Sequence, residues 1–132
     1  MINFFNKYKI IFYFINICLI FIYLFPGSIF GCIFLKNCKV QPQITPDLAF
    51  ISSNHFYAFF TLSVIGYFTF YKKKQIRYLF IYLSFVSIFL EIFHLFIPER
   101  SFQWSDLFGN LLAVVVVILI HNLINKYGNF KK

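Results

Sequence analysis

Four apolar runs, each close to the length of a bilayer core, constrain this chain more than any other feature. A hydrocarbon layer of roughly 30 Å asks for about 20 apolar residues in a helix. The first run begins near Ile10 and reaches Phe25, where Pro26-Gly27-Ser28 interrupts it; Ile29 to Leu35 is a short apolar continuation. The other runs cover about 54–71, 77–97 and 105–124. Pro98 closes the third, because its ring disfavours helical geometry in the residue before it. Of 132 residues, 61% are hydrophobic and 12% charged, against roughly 45–50% and 25% in a soluble domain. A small globule buries too little of its surface to hide that much apolar area, and 24% aromatic residues exclude disorder. The expected class is all-α, an integral membrane bundle of four transmembrane helices forming a single domain over 1–132.

The basic residues sort by connection. Lys7 and Lys9 precede the first span, Lys72, Lys73, Lys74 and Arg77 join the second to the third, and Lys126, Lys131 and Lys132 follow the fourth. These nine share one side with no acid, whereas Lys36, Lys39 and Arg100 lie on the other with Asp47, Glu99 and Asp106. The bias predicts a multi-pass protein with both termini cytoplasmic. The net charge of +8 therefore reads as topology and contact with anionic lipid, not as a nucleic-acid surface. Trp104, Tyr71 and Tyr78 fall at expected interfaces, where aromatic rings prefer to sit.

The first run, followed by Gly31-Cys32, also resembles a signal sequence ending in a lipid-modified cysteine. Phe30 is bulkier than that context accepts, so an uncleaved first helix is expected. Cys18 reads as a small apolar filler. Cys32 and Cys38 face the outer side and can pair if that compartment is oxidising.

Polar residues at membrane depth carry the functional signal, because they are costly in lipid and turn towards a partner. Ser84, Ser87, Glu91 and His94 recur at spacings of three and four, which places them on one face of the third helix. Ser84 and Ser87 read as small packing residues. Glu91 lies seven residues before Pro98, about 10 Å from the helix end. Asp106 and Asn110 share a face of the fourth helix, and Gly109 with Ala113 forms a small-x-x-x-small pair that permits close packing. Asp106 also suits a helix start, where its oxygens cap free N–H groups. With alternating helix directions, His55, Glu91, His94, Arg100, Asp106 and Asn110 converge on the outer half. His121 lies at the other end. Only one Glu-x-x-His pair is present, short of a di-iron set. Zinc on His55, Glu91 and His94 is conceivable by geometry. Neither a metal nor a cofactor is expected, and no Gly-x-Ser-x-Gly turn marks a catalytic serine.

His55-Phe56-x-Ala58 opening one helix, then Glu91, Pro98-x-Arg100 and Asp106-x-x-x-Asn110, resembles the signature of the VanZ-like family over about 45–124. Departures are Ile51-Ser52 where the family usually has Asp-Lys, Phe59 for Tyr, His94 for Gln and Ala113 for Gly. The resemblance implies a bacterial cell-membrane protein, in some relatives linked to teicoplanin resistance, and implies no reaction. Three functions stay open. One is a non-enzymatic protein binding a polar lipid head group or lipid-linked cell-envelope precursor, with Arg100 gripping the anion. Another is a structural or complex-forming bundle. The last is a membrane-embedded enzyme on lipid-linked substrates, with Glu91 as general base and a histidine as partner. Membrane lipids are the expected partners, and oligomeric state is left open.

Overall fold

The computed structural model describes residues 4–70 and 73–128. Five helices carry the fold: α1 (Phe4–Leu24), α2 (Ile29–Leu35), α3 (Ser53–Thr69), α4 (Lys73–Phe93) and α5 (Trp104–Gly128). A 3-10 turn, His94–Phe96, extends α4 towards Pro98. Among the described residues there is no β-strand beyond an isolated bridge between Leu48 and Ile51. Tyr71, Lys72, Lys131 and Lys132, which the expected interface and charge pattern use, lie outside the described residues.

The first apolar run breaks where the sequence says it should. Gly27 adopts φ +73°, a left-handed conformation that a side chain disfavours, and α2 leaves at 80° to α1. The first helix thus ends at Leu24, and α2 continues the chain in a new direction. Ser28 caps α2 by accepting the Gly31 N–H at 3.0 Å, and a disulfide joins Cys32 to Cys38. The chain then runs back to α3, where Asp47 accepts the Ser53 N–H at 2.8 Å.

Among the described residues two helices are long and apolar enough to cross a membrane, Lys74–Phe96 and Trp104–Tyr127, and the bent α1–α2 pair makes a third if taken as one span. Four were expected. The shortfall has two physical causes: the turn at Pro26-Gly27 divides the first run, and α3 has 17 residues, about 25 Å at 1.5 Å per residue. The outside of the bundle is that of a membrane protein. Ile10, Phe14, Ile17, Phe21, Ile81 and Phe85 are each at least 60% exposed, whereas Asn16, Ser63, Ser87, Glu91, His94 and Asn110 are buried. Water would reverse that distribution.

α3 and α5 form the most extensive helix contact. Phe59, Leu62, Ala113 and Val114 from these two helices and Leu83 and Leu90 from α4 are nearly or fully inaccessible in the core of the bundle. Small residues set the approach. A Cβ at Gly109 would stand 2.6 Å from the Ser52 carbonyl oxygen, so α5 rests directly on the start of α3. The Ser52 N–H donates to the Ser105 carbonyl at 3.0 Å and fixes the two helix starts in register. Midway along α1, Asn16 donates to the Tyr82 hydroxyl at 2.6 Å.

Candidate functional site

The register between α3 and α5 puts His55 beside Asp106. His55 lies in the first turn of α3 and Asp106 in the first turn of α5, and Nε2 stands 3.3 Å from Oδ2. His55 Nδ1 is buried without a hydrogen-bond partner. One turn further along α5, the side chain of Asn110 is fully buried and accepts the Tyr23 hydroxyl at 2.8 Å.

Glu91 reaches this level from the last turn of α4 and is 0% exposed. Its Oε1 accepts the Gln103 N–H at 2.8 Å and lies 3.3 Å from His94 Nδ1, while Oε2 has no partner. His94 sits in the 3-10 turn rather than on the α-helix expected from the sequence, and its Nε2 lies 3.0 Å from the Tyr23 carbonyl. A carbonyl only accepts, so Nε2 carries a proton and donates it there. The contact between Nδ1 and Oε1 joins the 3-10 turn to the last turn of α4 at the end of the bundle.

Arg100 reaches from the connection between α4 and α5 to the end of α1. Its Nε donates to the Phe25 carbonyl and its Nη2 to the Ile22 carbonyl, both at 3.3 Å. The last carbonyls of a helix lack partners within it and carry the negative end of the dipole, so a guanidinium there is favourable. Half-burial pulls the arginine pKa down, and nearby Asp106, Tyr23 and Glu91 push it back up; Arg100 stays a cation. The Tyr23 ring packs against both histidines, with centroids 4.9 Å from His55 and 6.1 Å from His94.

Five of the six candidate residues, His55, Glu91, His94, Asp106 and Asn110, are thus linked through each other or through Tyr23, and Arg100 adjoins them at the C-terminus of α1. Tyr23 and the Gln103 backbone were not singled out from sequence. A tyrosine near the end of an apolar run was the available signal, since its hydroxyl needs a partner at depth. His121 packs on Tyr67 and Phe80 at the opposite end and bonds Asn125 at 2.9 Å.

Two cavities meet at Arg100. A groove of about 560 Å³ between α1, α2 and α3 has mostly apolar walls, including Ile15, Leu19, Ile22, Phe30 and Ala58. A second cleft of about 180 Å³ is mostly polar, with His94, Arg100, Gln103, Asp106, Lys39 and Glu99 on its walls. Arg100, Ser28 and Gln41 line both. No protein-family model matches the chain, and neither does any curated protein or solved structure.

Proposed function

We propose that this is a four-span membrane protein that binds an amphipathic anion, a lipid head group or a lipid-linked cell-envelope precursor, in an outward-facing pocket. The carrying observation is the shared wall at Arg100. The apolar groove suits an acyl or prenyl chain, the polar cleft suits a charged head, and Arg100 stands where the two join. A guanidinium offers phosphate or carboxylate a bidentate grip. In this reading α3 completes the four spans by thinning the bilayer locally, and both termini are cytoplasmic. The likeness of His55, Glu91, Arg100, Asp106 and Asn110 to the VanZ-like pattern supports a bacterial cell-envelope role, with glycopeptide resistance as one form of it.

Native mass spectrometry of full-length protein, gently extracted, tests this. An anionic amphiphile should co-purify, and its mass separates a glycerophospholipid from a polyprenyl-linked precursor. Arg100→Gln should weaken retention at least about tenfold, because a hydrogen bond to a charged group contributes about 1.5–3 kcal/mol. Since Arg100 also caps α1, Ala58→Phe serves as a second variant. It fills the apolar groove without touching the guanidinium and should reduce retention as well. Absence of any bound amphiphile, or equal retention by both variants, would contradict the proposal.

A second reading has its own support. Arg100 and His94 together satisfy three carbonyls at the end of α1, those of Ile22, Tyr23 and Phe25. A bundle held together by these bonds needs no ligand, and equal retention in the experiment above would favour it.

A further inference from the structure

We propose that His55, Glu91 and Asp106 form a binding site for a divalent transition-metal cation of the zinc class. The three residues come from α3, α4 and α5, and each offers a ligand atom within 4.8 Å of the other two. Their relative placement fits a shared ion. Tetrahedral ligands at about 2.0–2.1 Å from zinc stand about 3.4 Å apart, and His55 Nε2 is 3.3 Å from Asp106 Oδ2. A modest shift of the Glu91 carboxylate towards that pair completes the set.

The second observation is the state of Glu91 itself. It is wholly buried, and its two oxygens differ. Oε1 is held by the Gln103 N–H and faces His94 Nδ1, whereas Oε2 has no partner. A carboxylate with one oxygen fixed by donors and the other free is arranged as a monodentate metal ligand with its outer contacts already in place. Charge argues the same way. Two carboxyl groups this close to one imidazole offer the negative donor set that a dication balances.

Donor chemistry narrows the ion. Imidazole suits zinc, copper, iron and nickel, whereas magnesium and calcium prefer all-oxygen sites. The polar cleft reaches Asp106 from outside and supplies an entry path. It also leaves room on the open side for water or an anionic head group to take a remaining coordination position. The site uses a different trio from the His55, Glu91 and His94 set that sequence spacing made conceivable: Asp106 replaces His94, which instead braces Glu91. This inference goes beyond the amphiphile reading and does not depend on it.

The test uses the full chain in detergent, stripped with chelator and dialysed against Zn²⁺ or Mg²⁺. About one zinc per chain is expected with no comparable uptake of Mg²⁺. Asp106→Asn and His55→Gln should each weaken zinc binding at least tenfold, and His121→Ala should leave it unchanged. Co²⁺ replaces zinc in such sites and gives visible d–d absorption, which wild-type protein should show even if a variant does not fold. Zinc uptake well below one per chain, uptake unaltered in both site variants, or Co²⁺ bound with the spectrum of the free aqua ion would overturn the proposal.

Discussion

His94→Ala is expected to destabilise the protein by about 3–5 kcal/mol, the range found when one member of a buried ion pair is removed. The side chain is 1% exposed, and both ring nitrogens are engaged. Its loss leaves the Tyr23 carbonyl without its donor. It also leaves Glu91 with the Gln103 N–H as its donor in a fully buried site. The decisive result is the coupling. Adding Glu91→Gln to His94→Ala removes the orphaned charge, so the double variant should lose less stability than the two single variants summed. Equilibrium unfolding of the purified protein in mixed micelles measures all four corners of this cycle. Additive losses would mean that the two side chains do not interact.

Gly109 carries the second large effect, and here the sign is diagnostic. Alanine in place of glycine inside an unencumbered helix stabilises by about 1 kcal/mol. At Gly109 the added Cβ would meet the Ser52 carbonyl at 2.6 Å, the Phe56 nitrogen at 3.2 Å and the His55 Cβ at 3.3 Å. The nearest of these is backbone, tied by its own N–H to Ser105, and cannot swing aside. Gly109→Ala should therefore destabilise, by about 1–3 kcal/mol as for other overpacked sites. Gly109→Leu should cost more and separate His55 from Asp106. A gain in thermal stability for Gly109→Ala would show that α5 does not rest on α3 in this way.

Sequence revealed those parts of the molecule that rest on local pattern. Apolar runs marked the helices, Pro26-Gly27 marked the break after α1, and Gly109 with Ala113 marked a close contact. The cost of a buried carboxylate made Glu91 conspicuous. Residues of three helices were placed at one level by simple alternation of direction. What escaped were partnerships that depend on the backbone. The targets of Arg100 were among them. Its guanidinium goes to carbonyls of α1, whose ends no side-chain motif announces. The Gln103 N–H on Glu91 is likewise invisible in a list of residue types. His94 stays beside Glu91, as its spacing implied, although α4 tightens to a 3-10 turn after Phe93. Hydropathy alone does not reveal that α2 leaves α1 at 80°, nor that α3 has only 17 residues.

The central claim is that the polar cluster lies at the outer end of a membrane-crossing bundle, opposite the basic connections. Thiol accessibility in intact cells tests it most directly. With Cys18 changed to serine and the Cys32–Cys38 disulfide retained, single cysteines replace Ser101, beside the cluster, or Lys74, at the start of α4. A membrane-impermeant maleimide should label position 101 in intact cells and position 74 only after permeabilisation, as the basic bias requires. Labelling of position 74 but not 101 in intact cells would invert the orientation, and equal labelling of both would contradict a bundle that separates the two ends.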